Sequence, residues 1–413
     1  MKKHNSIIFG LLCASLIHVP TTAAAQLRIE IPKPPKVGKP KPEPPKSDER
    51  QTASSESQTA NPSPASRLSG GGLKYVPRPV PTSNPVFLKS TLDISCETTD
   101  HYWKTPKASI NSNWIPKVKF YAFLKETKAR YAVEYFNPDG SLWYGEPMEQ
   151  IGTPISGNNW SVLIESERAS EKHQGKSITA TGTYGVKITN TRNNETVFQG
   201  KFKVGKFKTA DTSPAFRNQY NFFVEQDWNI PIGYVWLNYA FSEAAPRVCV
   251  SMWFKGGLSG KEFEARLYHN GQEIDSTDNG GLIGSDERRF STIMENETTH
   301  HWLRYDMSWA NFVAPTDPEG EQQARFDKKR IMQERPGEYT VKVFYKGAQV
   351  REAKFSVGPD GMLVDNGIAK QNNFADDKVI VPVKIIGALD KWNAAMWMTD
   401  AFYGNPLSGF SAP

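Results

Sequence analysis

From Val86 onward the chain alternates apolar and polar residues in short runs, the period-two pattern of strands that bury one face. Several runs occur twice, in the same order. Phe123-Leu124-Lys125 matches Trp253-Phe254-Lys255, and Tyr131-Ala132-Val133-Glu134-Tyr135 matches Phe263-Glu264-Ala265-Arg266-Leu267. The second pair closes at Pro138-Asp139-Gly140 and at Asn270-Gly271, residues that tolerate positive φ and so predict hairpin turns. Gly182-Thr183-Tyr184-Gly185-Val186-Lys187-Ile188 then matches Gly337-Glu338-Tyr339-Thr340-Val341-Lys342-Val343. Each is followed by a further strand, Lys201-Phe202-Lys203-Val204-Gly205 or Lys354-Phe355-Ser356-Val357-Gly358.

A fifth match follows each repeat. Asn221-Phe222 leads to Ile230-Pro231-Ile232, and Asn373-Phe374 leads to Val381-Pro382-Val383. Proline cannot donate to a ladder, so these strands are expected at sheet edges or to carry proline as their first residue. The later copy reads as the start of a third unit that stops, docking on the second repeat and covering an open edge. Leu389, Trp392, Met396 and Tyr403 fall at roughly helical spacing, which predicts a helix packed on the second repeat.

The Gly-x-Tyr-x-Val block in a late strand resembles the tyrosine corner of immunoglobulin-like and fibronectin-type sandwiches of bacterial exported proteins. The resemblance implies that Tyr184 and Tyr339 are structural corner tyrosines. It places Val186 and Val341 where the second cysteine of an antibody-type domain would stand, so the usual disulfide inside each domain is absent. It also implies a short helix before each Gly-x-Tyr block, at Glu165 to Gln174 and at Pro318 to Glu334. In the second, Asp317 is a cap, Pro318 a first-turn proline and Pro336 a stop. The expected fold class is all-β, with tandem immunoglobulin-like β-sandwiches, a disordered Pro/Lys-rich N-terminal tether and a short C-terminal extension. Such a resemblance carries fold and no activity.

The expected organisation is a signal peptide over 1–25, a linker over 26–85, a first sandwich over 86–220, a second over 221–372, and an extension over 373–413. The signal reading rests on Lys2-Lys3-His4, the apolar stretch Ile7 to Ile17, and Ala23-Ala24-Ala25 before Gln26. Residues 26–50 are rich in proline and lysine and favour an extended polyproline II spacer. Residues 51–72 are rich in Ser, Thr, Gln, Ala and Gly and read as coil. The second repeat is the longer: Phe263 to Gly337 spans 74 positions, against 51 from Tyr131 to Gly182. The excess predicts an elaborated loop over 296–335, and loops on a rigid scaffold are where binding concentrates.

Charge changes the picture only a little. Of the net +6, Lys2 and Lys3 supply two charges, and residues 26–50 hold seven basic against four acidic side chains. The remaining chain is near neutral, which argues against nucleic acid as a partner, since phosphate binding needs concentrated Lys and Arg. After the apolar stretch of the signal, no run approaches the ~18 residues of a transmembrane helix. An exported chain meets oxidising conditions, so Cys96 and Cys249 are either a disulfide linking the two repeats or two buried free thiols.

Chemistry-bearing motifs are sparse. Glu295 to His301 includes His300 and His301, but strand neighbours point to opposite faces, so these read as solvated surface histidines. Asp275 to Gly281 misses calcium-loop spacing and reads as a hairpin turn. No nucleophile elbow, phosphate loop or dinucleotide fingerprint occurs. The eleven tryptophans read as core fillers. No cofactor and no enzymatic activity is expected. The reading is an extracytoplasmic, non-catalytic binding or scaffold protein, its partner a protein or an envelope polysaccharide. The alternatives are a carbohydrate-active enzyme or carbohydrate-binding module, and a structural cell-envelope protein.

Overall fold

A computed structural model describes residues 75–76, 84–98, 113–124, 128–152, 161–167, 173, 175–208, 220–239, 242, 244–277, 282–288, 300, 302–327, 330–374, 378–392, 407–411 and 413. Residues 1–25, expected to be a signal peptide, and nearly all of 26–83 lie outside these residues. The fold is all-β, in two antiparallel sheets. Among the described residues no helix is long and apolar enough to cross a membrane.

The first sheet contains β1 (Val86–Phe87), β2 (Asp93–Thr98), β3 (Trp114–Phe123), β4 (Tyr131–Phe136), β5 (Leu142–Ile151), β6 (Ser161–Ser166), β7 (Gly182–Asn190), β8 (Glu195–Lys208) and β9 (Tyr220–Val224). Its order is β1-β3-β6-β5-β4-β7-β8-β9, with β2 also paired to β3. Alternation dictates the buried face: Tyr131, Val133 and Tyr135 of β4 point inward while the residues between them do not. The sheet curls on itself, because Trp114 on β3 lies 6.2 Å from the Phe222 ring on β9, far along the strand order.

The second sheet contains β10 (Ile232–Asn238), β11 (Arg247–Lys255), β12 (Phe263–His269), β13 (Gln272–Ser276), β14 (Leu282–Arg288), β15 (Trp302–Val313), β16 (Arg330–Ile331), β17 (Gly337–Tyr345), β18 (Ala348–Val357) and β19 (Val379–Ile385). Its order is β13-β12-β17-β18-β19-β10-β11-β15-β14, with β16 on β15. It too folds over: the Trp309 indole on β15 donates to the Ala265 carbonyl on β12 at 3.1 Å. The sequence duplication is a structural one. β4 pairs β7 with Tyr135 opposite Val186, and β12 pairs β17 with Leu267 opposite Val341. The two turns close as expected, with positive φ at Gly140, Asn270 and Gly271.

Three expectations are corrected. Residues 379–385 are not an added edge cover but an interior strand. β19 pairs β10 through Val379 to Pro382 and β18 through Val383 to Ile385. Pro382 stands at the changeover, where a missing amide is least costly, and so is not at a sheet edge. It lies opposite Ile232, so the two copies of the proline motif meet across the ladder. The stretch 296–335 is not mainly a loop either. It supplies β15, a capped helix α1 (Pro318–Phe326) and β16. Asp317 caps α1 through the Gly320 amide at 2.7 Å, but the helix stops at Phe326 rather than reaching Glu334. Its Ala324 packs with Ala245, Val313 and Ile331. Residues 289–299 and 301 lie outside the described part.

The third correction concerns the linker, expected to run to residue 85. Val76 is buried in the core of the second sheet, its amide donating to the Pro315 carbonyl at 3.0 Å. The Tyr75 hydroxyl donates to Glu321 on α1 at 3.0 Å. Thus the chain touches the second β region before it builds the first. The cores interlock in the other direction as well. The first core is completed by Tyr234 of β10, Ile380 of β19, Ala369 of α2 (Ile368–Gln371), and Leu407 and Phe410. Near the C-terminus Asp390 accepts from Arg351, both side chains fully buried, with the guanidinium 4.6 Å from the Phe254 ring centroid. The predicted helix through Met396 and Tyr403 lies outside the described residues, while Leu389 and Trp392 precede it in turn conformation or without regular structure.

Candidate functional site

Where the two β regions meet, they leave a cavity of about 950 Å³. The first region supplies Val86 and Phe87 of β1 and Thr196 and Val197 of β8. The second supplies Leu237 of β10 and Val379 of β19. Charged side chains, Glu195, Asp365, Lys370 and Lys378, share the lining with these apolar ones. Two lysines stitch the regions together beside the cavity. Lys89 donates to the Asn372 carbonyl at 2.9 Å and lies 5.0 Å from the Phe374 ring; burial lowers its pKa. In return Lys378 donates to the Ser90 hydroxyl at 2.8 Å and lies 5.7 Å from the Trp236 ring.

The linking segment is anchored at Asp227, buried after β9. Its carboxylate accepts from the Trp302 indole at 2.9 Å and from Lys255 at 3.1 Å, and its carbonyl accepts from the Trp392 indole at 3.0 Å. Beside it His300 stacks on Phe207, with rings 4.5 Å apart and nearly parallel at 3°. His300 is therefore a ring-stacked, half-buried residue rather than a solvated one, because two phenylalanines of the first sheet present their faces to it. His301 lies outside the described residues, as do Asp278 to Gly281. Asp275 is part of β13 and is buried.

Cys96 and Cys249, the two cysteines among the described residues, are free and buried. Cys96 sits opposite Pro116 in the first sheet, and Cys249 opposite Trp236 and Ser308 in the second. Of the two alternatives, the structure has separate thiols and no bond between them. Burial pushes the Cys249 thiol up to about 12 and raises that of Cys96. Tyr184 donates to the Ala180 carbonyl at 3.2 Å, and Tyr339 to the Arg335 carbonyl at 2.6 Å, each four residues upstream. Each ring stacks on the phenylalanine opposite, Phe202 at 5.8 Å and Phe355 at 5.2 Å. The glycines that begin these strands have φ of 151° at Gly182 and 134° at Gly337, a region open to glycine and poorly accessible to other residues.

Sequence reasoning missed one polar cluster entirely. Glu146 of β5, Glu167 just after β6, and His173 bring ligand atoms within 4.8 Å of one another. His173 Nε2 and Glu146 Oε2 are 2.9 Å apart, and both side chains are almost wholly buried. Burial raises the Glu146 pKa, opposed by the hydrogen bond and charge interaction with His173. The signal available in sequence was slight: Glu146 occupies an inward position of β5, between Tyr144 and Met148, where the alternation asks for an apolar residue.

No family model matches this chain, and no significant match occurs among curated proteins. A solved structure titled "Biofilm associated protein - B domain" is similar at 9% identity, covering 72% of this chain and 92% of that one, with a TM-score of 0.14. At that score the likeness carries no weight, and the fold stands on its own strand order and register.

Proposed function

We propose that this chain is an exported, non-catalytic binding or scaffold protein of tandem immunoglobulin-like sandwiches, and that the cleft between them holds an extended segment of a protein partner. The hydroxyl-to-backbone bonds of Tyr184 and Tyr339 support the immunoglobulin-like reading. The observation that carries the binding reading is the cavity of about 950 Å³ walled by both regions. Its shape is preset by the Lys89 and Lys378 bonds, so binding costs little ordering of the cleft itself. Apolar walls with a few charged groups suit an amphipathic protein segment. A sugar polymer would favour exposed indole faces, and every described tryptophan is buried or half-buried. The carboxylates of Glu146 and Glu167 are close, but they converge on His173 and do not line the cleft.

Photo-crosslinking groups placed at Val197 and Met362, both in the cleft lining, test the proposal in the intact chain within its host envelope. The expected result is protein adducts from these positions, none from exposed Lys354, and loss of adducts in Leu237→Arg. Equal labelling from Lys354, or adducts to glycan alone, overturns it.

A further inference from the structure

We infer that Glu146, Glu167 and His173 form a binding site for one divalent metal ion of the zinc or manganese type, which ties Glu167 and His173 to strand β5. The three side chains offer one imidazole nitrogen and two carboxylates within 4.8 Å. Imidazole selects borderline transition ions over calcium, which takes six to eight oxygens. Donors on one such ion lie about 2.0–2.2 Å from it, hence roughly 3–4 Å from each other. The 2.9 Å separation of His173 Nε2 from Glu146 Oε2 is that of a hydrogen bond and falls just short of this spacing, so a shift of a few tenths of an ångström would admit an ion between them. Glu167 is only partly buried and directly follows the last residue of β6.

The second observation is an orphaned acceptor. The Glu146 side chain is 6% exposed, and its Oε1 has no hydrogen-bond partner among the described residues. A buried carboxylate oxygen left unpaired is costly. The Tyr144 hydroxyl is likewise buried without a partner, and its ring lies 6.2 Å from that of His173. Lys176 lies over the Tyr144 ring at 4.8 Å and is the neighbouring basic group acting on Glu146. Two carboxylates with a neutral imidazole leave a dication fully balanced. Coordination through Nε2 requires that any proton on that nitrogen leave, to Nδ1 or to solvent.

The test is calorimetric titration of the complete chain, first stripped with a chelator, using Zn²⁺, Mn²⁺ and Ca²⁺ in turn. The expected result is one saturable site for Zn²⁺ or Mn²⁺, a higher unfolding temperature on loading, and no comparable response to Ca²⁺. Glu167→Gln, the substitution least able to disturb the core, is expected to weaken binding by roughly tenfold or more with an unchanged circular dichroism spectrum. His173→Asn is expected to weaken it further. Absence of saturable binding overturns the inference, leaving a buried Glu–His pair alone. Undiminished affinity in Glu167→Gln also overturns it, since the ion would then sit elsewhere.

Discussion

Gly233 shows how closely single residues are fitted. A β carbon there would meet Val383 at 2.9 Å, Val381 at 3.0 Å and the Ser251 carbonyl at 3.4 Å. All three belong to flanking strands that cannot withdraw without breaking the ladder. Gly233→Ala is expected to cost about 1–3 kcal/mol, read as a lower denaturant midpoint at unchanged slope. The thiols make a second prediction at this scale. A thiol raised above its ordinary pKa favours the folded state fully below that ordinary value, and this contribution is lost as pH rises towards the folded value. For Cys249 that loss falls between the usual thiol range and about 12. Near neutral pH both cysteines are therefore protonated and enclosed. Labelling of Cys96 and Cys249 by a thiol reagent, located by mass spectrometry, is expected to be negligible in the native protein and to reach both residues on unfolding; rapid native labelling of either contradicts this.

Among the elements, β19 matters most, since it bridges β18 and β10 and neither of those touches the other directly. Removal of residues 379–413 is expected to abolish cooperative folding of the second region, seen as loss of protected amides in β10 and β18 by hydrogen exchange. An accessory extension would instead be trimmed with little effect. The repeated hairpins were legible in the sequence because their alternation and their Asp-Gly and Asn-Gly turns are local signals. The place of β19 was not, because which strands it joins depends on partners about 30 and about 150 residues away, at Ala353 and Ile232. Val76 was missed for a similar reason: the few apolar residues of a Pro- and Gly-rich stretch have no periodicity to announce burial. The Glu146 cluster draws on β5, the residue after β6 and His173, positions that follow no fixed spacing, so no spacing rule could assemble it. Tyr184 and Tyr339 were identifiable because residue, glycine and strand recur together.

For the whole molecule, the interlocking cores predict that the two β regions do not melt separately. The first core needs Tyr234, Ile380, Leu407 and Phe410 from beyond residue 221, and the second needs Val76 from before the first. Calorimetry of the intact chain is expected to show a single transition whose calorimetric and van't Hoff enthalpies agree. A fragment spanning 86–220 is expected to give the poorly dispersed amide spectrum of an unfolded chain. Two resolved transitions, or a folded fragment, would mean that the shared residues are dispensable.

The double pairing of β19 also sets a timetable. This strand is made after every strand it joins, so the second region stays open until residue 385 has been made, and the pairings it closes are non-local and slow to form. Pulse proteolysis of nascent chains is expected to find β10 and β18 cleavable until residue 385 has emerged, and resistant soon afterwards.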